Sequence, residues 1–139
     1  MLHLSGGDFH KMAEWAREHM PEEACGLLAG YRDEEGDAFV ERVFICENAD
    51  HTSEHFTISP QEQLKALKEA RSSGMEILGN WHSHPETPAR PSAEDLRLAQ
   101  DPSAIYCILS LEDPAWPALI AYRKDADGNV ARVLVSHDA

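Results

Sequence analysis

Apolar residues recur along the chain at two different spacings, and the switches between them mark its elements. Phe9, Met12, Ala13, Ala16 and Met20 share one face at a period of about 3.6 residues, which predicts a helix over 8–20, closed by Pro21. Two apolar runs follow, Ala24 to Tyr31 and Ala38 to Cys46. Separated by the turn-rich segment Asp33 to Asp37, they read as an antiparallel pair of strands. Ser59-Pro60-Gln61-Glu62 opens a second helix, with Ser59 as cap, Pro60 in the first turn and Glu62 completing a capping box. Leu64 and Leu67 supply its apolar stripe and Gly74 its stop. A strand over 76–82 ends at Pro85, and a proline-rich loop leads from Pro85 to Pro91. A short helix then starts near Ser92 and stops before Pro102. Runs at 104–111, 116–123 and 130–135 read as further strands, the last two joined through Asp127-Gly128-Asn129. Together these elements predict one α/β (α+β) domain over residues 1–139, a curved, largely antiparallel sheet flanked by two or three helices.

Composition narrows the field of partners. A length of 139 residues suffices for one hydrophobic core, and 42% apolar content suits a folded, soluble chain. Asp and Glu number 25 against 12 Lys and Arg, for a formal charge of −13. Such a surface repels phosphate backbones and anionic lipid, so neither nucleic acid nor membrane is an expected partner. The acidic residues are scattered rather than blocked, as in a solvated surface. No apolar run approaches the roughly 18 residues that span a bilayer, and residues 1–10 lack the pattern of a secretory signal. The expected location is therefore cytoplasmic. Cys25, Cys46 and Cys107 each sit in an apolar stretch, form no C-x-x-C pair, and are expected as small buried hydrophobes.

Candidate chemistry lies between His82 and Asp95, in His82-Ser83-His84-Pro85, six residues, then Ser92-Ala93-Glu94-Asp95. On a strand, His82 and His84 project to one face while Ser83 faces away. Two imidazoles so placed can converge on one ion, with zinc–nitrogen bonds of about 2.0–2.1 Å. Asp95, in the first turn of a helix whose dipole favours an ionised carboxylate, is available as a third ligand. Two His and one carboxylate leave a fourth position for water, the pattern of a catalytic rather than a structural zinc site. Taken alone, an H-x-H pair is a weak signal, and Ser92-x-x-Asp95 is also a helix capping box. The two readings are compatible, because a carboxylate has two oxygens.

With the upstream Glu23-Ala24-Cys25-Gly26-Leu27-Leu28-Ala29-Gly30, this arrangement resembles the JAMM motif of the MPN (Mov34/MPN/PAD-1) metallopeptidase family, in its compact prokaryotic form. The likeness extends from the first helix through the last strands. It implies one catalytic zinc on His82, His84 and Asp95, Glu23 as general base, and Ser92 as the hydroxyl that steadies the oxyanion. It also implies hydrolysis of the amide bond after the C-terminal Gly-Gly tail of a ubiquitin-like β-grasp protein, including sulfur carriers from which cysteine is released. A catalytically silent scaffold that binds partner proteins is the alternative. Spacing to the Cys25-Gly26-Leu27-Leu28 element selects Glu23 over Glu22, which is left as a solvated charge. Trp81 is expected to pack under the site, on the face opposite His82. Asn48, His51 and His55 read chiefly as a surface loop, one of them a candidate for bordering the site. His3, His10, His19 and His137 have no partner spacing and read as surface residues.

Overall fold

A computed structural model describes residues 1–136. The elements run β1 (Leu2–His3), α1 (Gly6–Glu18), β2 (Cys25–Arg32), β3 (Ala38–Cys46), α2 (Pro60–Ser72), β4 (Glu76–His84), α3 (Ala93–Leu98), β5 (Ile105–Ser110), β6 (Ala118–Lys124), β7 (Val130–Val133) and β8 (Val135–Ser136). All strands join one sheet in the order β7-β6-β5-β4-β2-β3-β1-β8. Pairings β2–β3, β2–β4, β5–β6 and β6–β7 are antiparallel. β4–β5 and the two short pairings of β1 are parallel, so the sheet is mixed. The parallel β4–β5 pair follows from the helix between them: a crossover through α3 returns the chain in the same direction. β7 and β8 stand at opposite ends of the order, yet only Leu134 separates them in the chain. The sheet therefore curls until its ends meet, and the Leu2 N–H donates to the Leu134 carbonyl across the join (2.7 Å).

Alternation along the strands sorts side chains between two faces. Leu28, Trp81 and Leu109 pack with Met12 and Ala16 of α1. Cys25 and Ala29 face the other way, against Ile58 and the Ala66 and Ala70 of α2. On that same side Tyr106, Ile108, Ile120 and Tyr122 pack with Leu96 of α3. The three cysteines are buried and free, and burial pushes Cys25 and Cys107 up to about 12 and Cys46 up to about 11, as befits inert core thiols. Among the described residues no helix is long and apolar enough to cross a membrane.

Several expectations change. α1 stops at Glu18, short of Met20. In α2, Leu64 points to solvent at 52% exposure and the buried line is Ala66 and Ala70; small residues let the helix lie close to the sheet. Ser59 caps α2 as expected, but the Glu62 carboxylate accepts from the Glu47 N–H, tying α2 to the end of β3 instead of closing the box. Trp116 lies outside β6, 80% exposed, because Pro117 cannot donate to a ladder. The final apolar run splits at Leu134 to serve both ends of the sheet. His3 stacks on Phe39 and pairs with Asp37, His10 pairs with Glu14, and His19 Nδ1 bonds the Trp15 carbonyl. His137 lies outside the described residues.

Gly26 shows why the element after Glu23 contains a glycine. A Cβ there would lie 1.8 Å from the Phe44 carbonyl oxygen and 2.4 Å from Trp81 Nε1. Those two atoms bond each other (3.1 Å), and the indole is fully buried one residue before His82. Gly26→Ala is expected to break that bond and cost about 2–4 kcal/mol, read as a lower midpoint in urea with an unchanged slope. A variant as stable as the parent would show that the strands can part there without cost.

Candidate active site

β4 delivers its two histidines at its C-terminal end, where β2 flanks it antiparallel on one side and β5 parallel on the other. Cys25 stands opposite His82 in the β2–β4 ladder. One step further the Ser83 N–H donates to the Ala24 carbonyl (2.9 Å), and Ser83 Oγ accepts from the Ala24 N–H (2.8 Å). Continued by one more residue, that register sets Glu23 beside His84. Ser83, fully buried between the histidines, thus clamps the strand that carries Glu23.

The third contributor comes from α3. Ser92 is its N-cap: Ser92 Oγ accepts from the Asp95 N–H (3.0 Å), and the Ser92 N–H donates to Asp95 Oδ2 (2.9 Å). This reciprocal box turns the Asp95 carboxylate toward the end of β4. There His82 Nε2 lies 3.2 Å from Asp95 Oδ1, His84 Nε2 lies 3.0 Å from Oδ2, and the two Nε2 atoms are 3.2 Å apart. His84 is oriented by its other nitrogen, Nδ1, at 3.0 Å from the Pro88 carbonyl in the proline-rich loop. The Phe56 ring stacks on His82, centroids 4.7 Å apart.

This donor set fits a zinc ion. Two ring nitrogens and a carboxylate, with ligand atoms within 4.8 Å of one another, suit zinc, a borderline-soft cation. Bonds of about 2.0–2.1 Å at tetrahedral angles separate two ligand nitrogens by about 3.3 Å, close to the spacing seen. Two buried Nε2 atoms 3.2 Å apart, both facing one carboxylate, also call for a cation or proton between them. Glu23 adds the other anomaly. It is 4% exposed, and its Oε1 has no hydrogen-bond partner.

Electrostatics separates the four groups. Burial pushes the Glu23 carboxyl up to about 8; nearby His84 opposes this, and Asp95 and Glu94 add to it. Burial also works against ionised Asp95, but the hydrogen bonds from His82 and His84 outweigh it and hold that carboxyl well below the usual range. His82 is lowered by its burial, so its neutral, ligating form dominates at neutral pH. For His84 burial is outweighed by the bonds to Asp95 and the Pro88 carbonyl, and its pKa is raised.

Two cavities bracket the cluster. One, of about 310 Å³, opens beside His82 and Asp95, with Phe56, Leu98, Tyr106 and Tyr122 among its walls. The other, about 440 Å³, borders Glu23 together with Glu22, Glu47 and His51. Glu22 is partly exposed and pairs with His51, as a surface charge does. His51 and His55 are loop residues, whereas Asn48 is buried beneath them. Phe56 carries no signal in the sequence. A single aromatic between polar residues carries no period, and only the folded loop brings it to His82.

A small α+β domain with a His-His-Asp cluster at the end of a central strand, and a buried acid beside it, defines a class of protein. Residues 7–122 match the family of prokaryotic homologs of the JAB domain, and the chain belongs to that family. It is 36% identical over 112 residues to the CysO-cysteine peptidase of Mycobacterium tuberculosis, covering 81% of this chain and 75% of that one. It is 32% identical over 97 residues to the desampylase of Haloferax volcanii, covering 70% and 68%. The solution structure of a Desulfitobacterium hafniense protein, 46% identical, superimposes with a TM-score of 0.88 over 99% of this chain and 94% of that one.

Proposed function

We propose that this chain is a zinc-dependent JAMM-type peptidase that hydrolyses the amide bond after the Gly-Gly tail of a ubiquitin-like protein, with sulfur carriers as the substrate class. The observation that carries this reading is the meeting of His82, His84 and Asp95 beside a buried carboxylate with an unpartnered oxygen. The similarity to a CysO-cysteine peptidase and a desampylase supports the substrate class. The two imidazoles and Asp95 would hold the metal. When bound, zinc supplies a Lewis acid that polarises a carbonyl and acidifies water to a pKa of about 7. Glu23, enclosed beside the imidazole pair and acting as the carboxylate, takes the proton of the attacking water and passes it to the leaving amine. Ser92 Oγ accepts from the Asp95 N–H, which leaves its own O–H proton free to donate to the oxyanion.

The test combines zinc content with hydrolysis. The purified chain is expected to hold one zinc and to release the amine from a β-grasp sulfur carrier whose Gly-Gly terminus is amide-linked to cysteine or to a lysine side chain. A chain that takes up no zinc and cleaves neither conjugate would instead be a binding scaffold. In Ser92→Ala, turnover should fall about 10- to 100-fold with zinc retained, since the hydroxyl acts on the transition state. Loss of zinc in that variant would mean that the cap serves chiefly to aim Asp95.

A further inference from the structure

We infer that Asn48 is a positioning residue for this reaction: it fixes the Glu23 backbone and holds the 49–57 loop over the site. Asn48 is 6% exposed, and five hydrogen bonds run to its side chain. Its Nδ2 donates to the carbonyls of Glu23 (3.1 Å), His55 (3.0 Å) and Thr52 (3.4 Å). Its Oδ1 accepts from the N–H groups of Asp50 (3.0 Å) and Thr57 (3.2 Å). An amide has two N–H protons and two acceptor lone pairs, so the three carbonyls share two protons, Thr52 at the longest distance sharing one with a neighbour, and the side chain is saturated by the loop and by Glu23.

Two consequences follow for the site. The Glu23 peptide is held at both ends, its N–H by the Thr52 carbonyl (2.8 Å) and its carbonyl by Asn48. Thr52 is itself in the loop that Asn48 gathers, so loosening the loop frees both ends of Glu23 together. The same loop carries Phe56, flanked directly by two residues that Asn48 binds, His55 and Thr57. The stack of Phe56 on His82 therefore depends on Asn48. The segment has no helix or strand of its own between β3 and α2. A buried amide replaces the missing ladder, and misplacing a reacting group by about 1 Å can cost 100-fold in rate.

Asn48→Asp keeps the shape and the Oδ1 acceptor, removes both donors and sets a carboxylate oxygen against the three carbonyls, so it should release them. This inference rests on the proposed peptidase reading, and the experiment separates the two. The zinc-loaded full chain and the variant are compared for zinc content, for kcat and KM on the conjugate above, and for the NMR cross-peak between the Phe56 and His82 rings. The expected result is a kcat lowered about 10- to 100-fold, KM within about threefold, unchanged zinc and a lost ring cross-peak. A parent-like kcat with the cross-peak lost would overturn the positioning role, and a retained cross-peak would overturn the hold on the loop. If the parent cleaves no conjugate the peptidase reading fails, and the cross-peak still decides whether Asn48 holds the loop. Should Asn48→Asp fail to fold, Phe56→Leu breaks the stack alone. A kcat lowered at constant zinc then supports the loop's part, and a parent-like kcat overturns it.

Discussion

Glu23→Gln is expected to keep one zinc per chain while turnover falls by about 10²–10⁴-fold, the range typical of losing a general base. The side chain keeps its shape, so the three ligand side chains are undisturbed, but the amide cannot take a proton from water. A second, independent consequence concerns stability. Burial raises the Glu23 pKa from 4.5 to about 8. A raised acid pKa means that the folded state holds its proton to higher pH than the unfolded state does. Stability is therefore fully present below about 4.5 and is lost as pH rises through about 8. The neutral amide escapes that loss. Metal-free Glu23→Gln should match the parent near pH 4 and exceed it by about 2–4 kcal/mol at pH 8, measured by urea unfolding in the presence of chelator. Parent-like hydrolysis in the variant would remove Glu23 from the chemistry; parent-like stability at pH 8 would mean that water reaches the carboxylate.

His82→Ala and Asp95→Ala should each lose both zinc and activity. His82 is 3% exposed and stacked under Phe56, so no water or neighbouring donor easily replaces its Nε2. Removing Asp95 has a double effect, because its Oδ2 both faces His84 and accepts the Ser92 N–H. Zinc bound per chain, read by elemental analysis after dialysis, should fall at least 10-fold in either variant, and activity should follow it. Retention of stoichiometric zinc by both would sink the three-ligand assignment. The two variants should differ in stability: Asp95→Ala also loses the Ser92 N–H bond to its carboxylate, one half of the α3 capping box, worth about 0.5–1 kcal/mol, whereas His82→Ala leaves a cavity between β4 and the loop.

These effects are separable because different elements supply the groups. Glu23 comes from the segment just before β2, the histidines from β4 and Asp95 from α3. The clamp of Ser83 on Ala24 joins the first two, and the α3 cap aims the third. Gly26 belongs to the same frame: without a Cβ it lets Trp81 reach the Phe44 carbonyl, which sets β4 in place one residue ahead of His82.

Much of this frame was legible along the chain. Strand alternation alone puts His82 and His84 on one face, and Ser92 three residues before Asp95 announces the cap that presents the carboxylate; both are local rules of backbone geometry. What separates Glu23 from Glu22 is a motif spacing in the sequence and burial in the fold, since only Glu23 is enclosed next to the imidazoles. Tertiary structure decided the rest. Leu64 turned outward because two alanines let α2 lie closer to the sheet, and the last apolar run divided at Leu134 because the curled sheet needed a strand at each end. Asn48 and Phe56 sit in a segment without periodicity, so local pattern offered Asn48 only as one of three loop candidates for bordering the site and gave Phe56 no role. Their contacts with Glu23 and His82 span 25 and 26 residues of chain, and such pairings are set by packing and by the need to satisfy buried polar groups.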